Sequence, residues 1–319
     1  MRIAFFYANR FHHAMLAPVE AQLKARAECA RFSSLDAMRA FDPQVIVLAE
    51  NPSNQARIAA PNAKIVWTRH GFANKRYLGY SMSVCDYACL SSEWIRDRYR
   101  AQGMHAGIDE WVTGFVPMDL MFRRLNEAKA RSHKTLLYAP TFNPNMASVR
   151  PLGKSWALDL RRRFPELHIR IKPHPHTAKE QPLWIARWRS WAEADSGIEL
   201  IEDLDRDIYE LMPDTDVLLT DASSVMFYFL ALDRPIILVD NPMRFEDRQR
   251  FSPDAEEWAW RDIGDRIESG DQLPDAVASA LASPGQLSGI RQQRAQQIFG
   301  GLFDGRAAER VASNVLALR

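Results

Sequence analysis

Short apolar segments, each about the length of one buried strand, recur along this chain between longer segments with helical periodicity. Ten of them are rich in β-branched or aromatic residues; five precede residue 118 and five follow residue 134. They lie at residues 3–7, 45–49, 65–68, 87–90, 111–114, 135–139, 168–172, 198–201, 217–220 and 236–239. Strands that alternate with helices form βαβ units, and the resulting parallel sheets carry helices on both faces. The pattern therefore predicts an α/β fold with parallel sheets.

One charged segment interrupts this series of strands. Residues 118–134 lack a strand pattern and are expected to form a helix and a linker. A single sheet of about ten strands would also be unusually large. We therefore predict two Rossmann-like, doubly wound domains that face each other across a cleft, at residues 1–125 and 131–302. Residues 303–319 are expected to form a closing helix, for which packing back on the N-terminal domain is an open alternative.

The charge balance and the cysteine content exclude several classes of protein. The 319-residue chain has a formal net charge of +1, so no overall field attracts nucleic acid, and we expect no nucleic-acid partner. Its three cysteines cannot form a closed disulfide framework and are expected to be reduced, as in a cytoplasmic protein. No apolar run approaches the ~18 residues of a membrane span. We expect a soluble protein, or one that sits on a membrane surface.

Polar and basic residues follow five of the predicted strands. Ligands of doubly wound sheets bind beyond the carboxyl ends of the strands, so these segments form the candidate site. They are NRFHH (9–13), TRHGFANKR (68–76), APTFN (139–143), KPHPHT (172–177) and TDASS (220–224). His70 is a candidate base beside Gly71, although a surface turn histidine would look the same in sequence. The adjacent pair His12 and His13 is a weaker candidate, because neighbours in an extended segment cannot both face one point.

The segment after the strand at 168–172 suits an anion with two phosphates. Lys172, His174 and His176 are potential donors on a stretch that two prolines stiffen. A rigid exposed loop would give the same pattern.

The TDASS segment is the clearest candidate for phosphate binding. It precedes an apolar helical segment at residues 225–232, which places Ser223 and Ser224 at a helix N-terminus. Free backbone N–H groups at such an end attract anions. A helix cap alone would account for one hydroxyl, but it would leave Asp221 and the second serine unexplained.

Metal and cofactor motifs are weak in this sequence. The segment Asp203-Leu204-Asp205 follows a strand and could hold a metal ion, but an acidic surface loop is the favoured interpretation. Cys85 and Cys89 have no nearby pair of ligands that would complete a metal site. No G-x-G-x-x-G occurs, and the GKS at 153–155 lacks the rest of a phosphate-binding loop. We expect no metal and no cofactor.

The order of these motifs resembles that of the CDP-glycerol glycerophosphotransferase family, the teichoic-acid primase and polymerase group with a GT-B fold. The matching segments are RHGFANK (69–75), LLYAPTF (136–142), IKPHPH (171–176) and LLTDASSVMFYFLALDRPIIL (218–238). GFVPMD (114–119) and FDGRAAERV (303–311) are two weaker matches. The resemblance implies that a polyol phosphate is transferred from a CDP-activated donor to a hydroxyl of a cell-surface glycan or lipid-linked acceptor.

The resemblance also implies roles for particular residues. His70 would be the general base on the acceptor hydroxyl, and Asp221 would orient its loop or meet the donor. His174 would hold the donor diphosphate together with Ser223 and Ser224. The donor side would further include Lys172, His176, Thr141, near the nucleotide phosphates, and Arg310, which would tie the last helix into the cleft. The acceptor side would include Arg10, His13, Arg69, Gly71 and Lys75.

Three departures from the family pattern keep the donor and the acceptor open. Phe72 stands where the family often has threonine, Asn143 where it often has arginine, and Ala222 where it often has tyrosine. The alternatives are a GT-B glycosyltransferase or a 2-epimerase-like enzyme that uses a nucleotide sugar, and a non-catalytic nucleotide-binding homologue.

The sequence is compatible with contact at a membrane surface. Trp184, Trp188 and Trp191 recur at helical spacing and fit either an interfacial helix or, as the favoured interpretation, a core helix. Residues 161–163 are three consecutive arginines, which form a local basic patch. We expect a cytoplasmic protein, with peripheral contact at the inner face of the cytoplasmic membrane as the alternative to a freely diffusing one.

Overall fold

The structure of this chain is a computed structural model that describes residues 1–8, 12–49, 53–69, 84–103, 107–127, 132–247 and 251–318. The chain forms two compact units. Unit 1 comprises Met1–Asn126 and Gln296–Arg319, and unit 2 comprises Glu127–Ala295. Unit 1 is therefore built from two separate stretches of chain.

The described residues form strands and helices that alternate along the chain. The strands are β1 (Arg2–Phe6), β2 (Glu28–Phe32), β3 (Val45–Leu48), β4 (Lys64–Thr68), β5 (Tyr87–Leu90), β6 (Asp109–Val112), β7 (Lys134–Ala139), β8 (Leu167–Ile171), β9 (Ile198–Leu200), β10 (Val217–Thr220), β11 (Ile236–Val239) and β12 (Asp265–Ile267). The helices are α1 (His13–Leu23), α2 (Leu35–Phe41), α3 (Ser53–Ala59), α4 (Glu93–Ala101), α5 (Met118–Glu127), α6 (Val149–Leu152), α7 (Trp156–Arg163), α8 (Thr177–Glu180), α9 (Pro182–Ala194), α10 (Ile208–Leu211), α11 (Val225–Phe229), α12 (Glu256–Ala259), α13 (Leu273–Ala282), α14 (Ser288–Phe299) and α15 (Ala307–Leu316).

Unit 1 contains a parallel sheet with the strand order β2-β1-β3-β4-β5-β6. Successive side chains of a strand point to opposite faces of its sheet. Ile3 and Phe5 accordingly belong to one buried cluster, which α1 and α15 help to close, and Ala4 and Phe6 belong to another. Burial on both faces explains why the central strands appear in the sequence as continuous apolar runs.

Unit 2 contains a second parallel sheet, with the strand order β12-β11-β10-β7-β8-β9. One face packs into a core cluster that includes Leu136 and Leu219, and Leu137 and Leu218 on the other face are also fully buried. The two six-stranded sheets confirm the predicted α/β fold class with two doubly wound halves.

Helix α9 lies against this second core. Trp188 is fully buried and Trp191 is 4% exposed, and both belong to the core cluster, while Trp184 packs against its edge. The interpretation of this tryptophan pattern as a core helix is therefore confirmed.

Two strands were not expected from the sequence, and each lies at an edge of its sheet. Strand β2 has only exposed and half-buried residues, and β12 is three residues long. An edge strand pairs on one side only and needs no long apolar run, so neither segment gives the pattern that identified the other strands.

The apolar helix expected at residues 225–232 is shorter than the pattern indicated. Helix α11 ends at Phe229, and a 3₁₀ turn, Leu230–Leu232, completes the segment. The turn ends at Asp233, which has a positive φ of 49° and closes the segment before β11.

The two weaker family matches meet in unit 1, where Asp119 caps α15. The buried carboxylate of Asp119 accepts hydrogen bonds from the backbone N–H groups of Ala307 at 3.0 Å and Ala308 at 2.9 Å. Gly114 has a φ of +87°, and a Cβ atom there would lie 3.2 Å from the Cβ of Ala307. The segments 114–119 and 303–311 therefore fit together as one packing unit that holds the last helix.

The three arginines at 161–163 each pair with a carboxylate. Arg161 contacts Asp195 at 3.0 Å, Arg163 contacts Asp275 at 2.8 Å, and Arg162 pairs with Asp159. Their positive charge is thus locally compensated. In the part of the chain that the structure describes, no helix has the length and apolar character that crossing a membrane would require.

Candidate functional site

The candidate site lies where the strand order of unit 2 changes direction. In sequence order its strands run outward from β7 to β9 on one side and from β10 to β12 on the other, so the change occurs between β7 and β10. Crevices beyond the carboxyl ends of strands at such a point are the usual ligand sites of doubly wound sheets. Residues 140–143 follow β7 and residues 221–224 follow β10, and the pairing of Thr220 with Ala139 brings the two strand ends side by side.

Asp221 fastens these two strand ends to each other. Its carboxylate is fully buried and accepts hydrogen bonds from the backbone N–H of Thr141 at 2.9 Å and from the N–H and hydroxyl of Ser148, each at 2.7 Å. Because Ser148 donates its only hydroxyl hydrogen to Asp221, the hydroxyl of Tyr138, 2.9 Å away, donates to Ser148. Burial raises the pKa of Asp221, and the donated hydrogen bonds and Arg261 oppose that rise. Asp221 has no exposed surface, and its hydrogen bonds hold the loop after β7 in place.

A second anchor for the same loop comes from the end of β11. The side-chain amide of Asn241, which is fully buried, donates to the carbonyl oxygens of Pro144 at 2.9 Å and Ala147 at 2.8 Å. Asn143 closes the turn itself, because its Oδ1 accepts from the N–H of Asn145 at 2.9 Å. The loop after β7 is therefore held from two neighbouring strands.

Arg261 is a buried cation behind these loops. It donates to the Asp221 carbonyl at 3.0 Å and forms an ion pair of 2.5 Å with Asp240, which Arg266 contacts from the other side at 2.7 Å. Burial alone would raise the pKa of Asp240, but the two guanidinium groups hold it below its usual value. Arg261 is 4% exposed, so it supports the loops from within.

Ser223 and Ser224 come just before α11 and are half-buried. The Ser224 side chain does not cap the helix; its oxygen accepts a hydrogen bond of 3.2 Å from the Tyr228 hydroxyl. The Tyr228 hydroxyl is in turn hydrogen-bonded to Tyr209, whose ring centroid lies 5.2 Å from that of Tyr228. Because α11 has five residues, its dipole supports an anion less than the longer helix expected from the sequence would.

Lys172 is directed to a neighbouring loop. Its ammonium group donates to the carbonyl oxygen of Asp203 at 2.6 Å, and burial lowers its pKa against the opposing effect of Asp207 and Asp203. Burial of Asp207 itself, together with the nearby charge of Glu210, raises the pKa of Asp207 to about 6.

Within the described ranges, the structure holds no group of three or more His, Cys, Asp or Glu residues that could bind a metal ion.

His174 and His176 lie beside the loop after β7, where their rings contact Phe142. The centroid distances from Phe142 are 4.6 Å to His174 and 5.3 Å to His176. The backbone N–H of His176 donates to Nδ1 of His174 at 3.2 Å. The structure therefore groups two of the predicted donor-side histidines with Thr141 and its neighbours.

The candidates in unit 1 are described only in part. Arg10, His70, Gly71 and Lys75 lie outside the described residues. His13 is the exposed first residue of α1, with its ring 6.3 Å from that of Tyr7. Arg69 follows β4, places its guanidinium 4.9 Å from the ring centroid of Tyr99, and lines a small cavity with Ser91 and Phe115.

Arg310 was grouped with the donor-side residues and lies in unit 1. Its guanidinium forms an ion pair with Asp304 and donates to the carbonyl of Thr113 at 3.3 Å. These contacts tie α15 to the end of β6 and continue the packing around Gly114 and Asp119.

Three residues that hold the candidate site together were not identified from the sequence: Ser148, Tyr228 and Asn241. Asn241 could have been found, because it follows a predicted strand as the other candidates do. Ser148 and Tyr228 carry no such signal. They become part of the site through hydrogen bonds that depend on the fold.

Comparison with known families identifies the chain over most of its length. Residues 17–317 match the family described as "CDP-Glycerol:Poly(glycerophosphate) glycerophosphotransferase". No curated protein sequence matches the chain.

Solved structures with the same fold include a polymerase and an epimerase. The wall teichoic acid polymerase TagF superposes with a TM-score of 0.75 at 14% identity, covering 99% of this chain and 88% of that chain. A TagF variant soaked with CDPG gives a TM-score of 0.71 at 16% identity, with the same coverage. UDP-GlcNAc 2-epimerase from Neisseria meningitidis, bound to UDP-GlcNAc, gives 0.65 at 12% identity, covering 99% of this chain and 100% of that chain. Because the sequence identities are this low, the structural similarity establishes the GT-B type of fold alone.

Proposed function

Because this chain belongs to the CDP-glycerol:poly(glycerophosphate) glycerophosphotransferase family, we propose that it transfers glycerol phosphate, or a similar polyol phosphate, from a CDP-linked donor. The acceptor is a hydroxyl of a teichoic-acid-like or capsule polymer. The observation that carries this proposal is the family match over residues 17–317. The anchored loops between β7 and β10, where the strand order of unit 2 changes direction, support the proposal. They form the kind of preorganised site that a diphosphate requires.

The proposed reaction is a displacement at phosphorus. The acceptor oxygen attacks the phosphorus that carries the polyol, the bond to the bridging oxygen breaks, and CMP leaves. His70 takes the proton from the acceptor hydroxyl. Such a reaction depends mainly on positioning and on neutralisation of charge, and a general base adds about 10²- to 10⁴-fold.

The donor-side residues divide into those that bind and those that position. We propose that Thr141, His174, Ser223 and Ser224 contact the diphosphate, with His176 beside them. Asp221 positions the loop after β7, in keeping with its complete burial and its bonds to Thr141 and Ser148. The ammonium of Lys172 is bonded to Asp203, so we propose that it supports the end of β8.

The unit 1 candidates are proposed to serve the acceptor. His70 is the base, and Arg10, His13, Arg69, Gly71 and Lys75 form the acceptor side. Arg310 has its contacts within unit 1, and we propose that it holds α15 in place.

A nucleotide-sugar enzyme is the second candidate function. The fold shared with a UDP-GlcNAc 2-epimerase is the observation that favours it. It predicts binding of a UDP-sugar and release of a nucleoside diphosphate instead of CMP.

Calorimetric titration with CDP-glycerol, CDP-ribitol and UDP-GlcNAc distinguishes these functions. We expect binding of a CDP-polyol, and release of CMP once a polymer acceptor with free hydroxyls is added. Binding of UDP-GlcNAc alone would favour the second candidate. Binding of CDP-glycerol without CMP release, across glycan and lipid-linked acceptors, would favour a non-catalytic homologue.

We also propose a cytoplasmic location, with the acceptor met at the inner face of the membrane. The paired arginines at 161–163 leave little uncompensated charge for anionic lipid there. Contact would therefore depend on the acceptor. We expect flotation with vesicles that carry a lipid-linked acceptor and not with anionic vesicles alone; flotation with both would contradict this.

A further inference from the structure

The rings of Phe142, His174 and His176 form a cluster at the ends of β7 and β8. The planes of Phe142 and His174 are inclined by 35° with centroids 4.6 Å apart, and the His174 and His176 centroids are 5.2 Å apart. Phe142 follows Thr141, whose N–H is bound by the buried Asp221. The backbone that carries the phenyl ring is thus fixed, and the ring forms a wall against which the imidazole of His174 lies.

The prolines on either side of His174 determine which backbone donor its ring can meet. Pro173 and Pro175 have no N–H, so the first N–H group after His174 belongs to His176. That N–H donates to Nδ1 of His174 at 3.2 Å, while the His174 carbonyl accepts from the N–H of Thr177 at 2.8 Å. The turn is therefore closed by two hydrogen bonds, one through the ring and one through the backbone.

Nδ1 accepts a hydrogen bond and cannot carry a hydrogen in this arrangement. A neutral imidazole has one ring hydrogen, which then lies on Nε2 and makes that atom a donor. A phosphate oxygen is an acceptor and needs a donor opposite it. The turn thus supplies the tautomer that a diphosphate site requires.

We propose that His174 acts on the donor diphosphate as a fixed Nε2–H donor, and that Phe142 is the residue that positions its ring. This inference rests on the proposed function, since the diphosphate belongs to the donor named there. It adds the tautomer of His174, the backbone N–H of His176 that selects it, and the role of Phe142.

The tautomer can be measured without any substrate. In protein labelled with ¹⁵N-histidine, two-bond ¹H–¹⁵N spectra distinguish the two neutral tautomers and the doubly protonated ring. The His174 signals are assigned by their absence in His174→Gln. We expect the Nε2–H pattern. An Nδ1–H pattern, an averaged pattern or a doubly protonated ring would overturn the proposal.

Replacing Phe142 tests the positioning role. In Phe142→Leu we expect the His174 signals to average between tautomers and the Kd for CDP-glycerol to rise about tenfold. Phe142→Tyr keeps the ring and is the matched control, with both properties within about twofold of the wild type. Phe142→Met replaces the leucine variant if that variant does not fold. An unchanged spectrum and Kd in the folded variant would contradict the role.

A double-mutant cycle separates this role from general support of the loop. In the His174→Gln background, Phe142→Leu should change the Kd for CDP-glycerol by less than about twofold, because the ring that it positions is gone. The same tenfold loss in both backgrounds would show that Phe142 acts through the loop and not through His174.

Two replacements of His174 show whether Nε2 or Nδ1 of its ring binds the donor diphosphate. The amide nitrogen of Gln can reach the position of Nε2, whereas that of Asn reaches only the position of Nδ1. We expect His174→Gln to retain CDP-glycerol binding within about tenfold and His174→Asn to lose about a further tenfold. The reverse order would overturn the proposal. If the wild type does not bind CDP-glycerol, the proposed function fails, and the spectra alone still decide the tautomer.

Discussion

Asp221 and Ser224 are three positions apart in one turn, yet their side chains serve different purposes. The carboxylate of Asp221 is directed into the protein and accepts its hydrogen bonds from the loop after β7. The hydroxyl of Ser224 is half-buried and accepts from Tyr228, so its own hydrogen is not used in that contact. A polar turn in a sequence cannot show this difference, because it depends on which groups the neighbouring strands and helices bring close.

The link between Tyr228 and Ser224 leads to a prediction about donor binding. Tyr228→Phe removes the hydroxyl that orients the Ser224 oxygen and leaves the buried ring in place. We expect the Kd for CDP-glycerol to rise about threefold to tenfold, the usual effect of one hydrogen bond. In the Ser224→Ala background the same change should have almost no effect.

Calorimetry with CDP-glycerol on the wild type, Tyr228→Phe, Ser224→Ala and the double variant measures the coupling between Tyr228 and Ser224. Tyr87→Phe is the control, since Tyr87 stacks on Trp111 in unit 1 with centroids 4.5 Å apart. Equal losses from Tyr228→Phe with and without the Ser224 hydroxyl would rule out the proposed coupling.

Asp207 gives a prediction about pH. Its pKa in the folded protein is about 6, compared with 3.8 for an ordinary aspartate, so the folded state binds the proton more tightly. The stability that this provides is present below the unfolded pKa and is lost as the pH rises through 6. Allowing for partial exposure of Asp207, the loss is about 1–2 kcal/mol.

Asp207→Asn should remove this dependence on pH. We expect the variant to match the wild type at about pH 3.5 and to exceed its free energy of unfolding by about 1–2 kcal/mol at about pH 8. Urea denaturation across that range measures the difference, with the exposed Asp254→Asn as control. A difference that stays constant with pH would show that the effect is not titration of Asp207.

At the scale of elements, the sequence predicts the segments that carry a clear apolar run and misses the segments that do not. The ten expected strands are all present. Strands inside the sheets are covered on both faces and need continuous apolar residues, and the edge strands β6 and β9 coincide with apolar runs at residues 111–114 and 198–201. The edge strands β2 and β12 have the sequences ECARF and DRI and contain no such run. The early end of α11 was missed for another reason, since a 3₁₀ turn of Leu230–Leu232 has the same apolar composition as the helix it follows.

The same limit applies to the site. The sequence predicts that the loops after β7, β8 and β10 carry polar residues, but it does not give the order of strands in the sheet. Only that order places Thr141 within 2.9 Å of Asp221, eighty positions later in the chain. Loop anchors such as Ser148 and Asn241 follow from the three-dimensional arrangement and have no periodic pattern.

The cap on α15 is a prediction for this scale. Asp119→Ala removes the carboxylate that accepts the N–H groups of Ala307 and Ala308 and leaves both donors buried without it. We expect a loss of about 1–3 kcal/mol in the local stability of the helix. Hydrogen exchange of peptides from residues 303–318 should accelerate.

Exposed Asp109→Ala, on β6 of the same unit, serves as the control for this measurement. Unchanged exchange in Asp119→Ala would mean that packing of α15 on α1, and not the cap, holds the helix.

At the scale of the whole molecule, both units use parallel sheets, but the order of strands changes direction between β1 and β3 in unit 1 and between β7 and β10 in unit 2. Arg10 follows β1 in the sequence, as Thr141 follows β7. In each unit a predicted site residue therefore follows the first strand of the sheet, where the strand order changes direction.

The proposed assignment of acceptor residues to unit 1 and donor residues to unit 2 is tested by His70→Ala. As the proposed base, His70 acts on the acceptor and not on the nucleotide, so we expect CMP release to fall by about two orders of magnitude or more. The Kd for CDP-glycerol should stay within about twofold. His133→Ala, a change at the opposite end of β7, is the control and should retain both properties. A collapse of CDP-glycerol affinity in His70→Ala would assign His70 to the donor.

The two separate stretches of chain in unit 1 have a consequence for how the protein is made. A nascent chain leaves the ribosome with its N-terminus first, and domains tend to fold as they emerge. The core around Leu16 and Val19 includes Val311 and Val315 of α15, so it stays incomplete until all of unit 2 has been synthesised. Unit 2 is continuous and can finish folding earlier. Synthesis of unit 1 therefore begins before that of unit 2, but its core is completed after it.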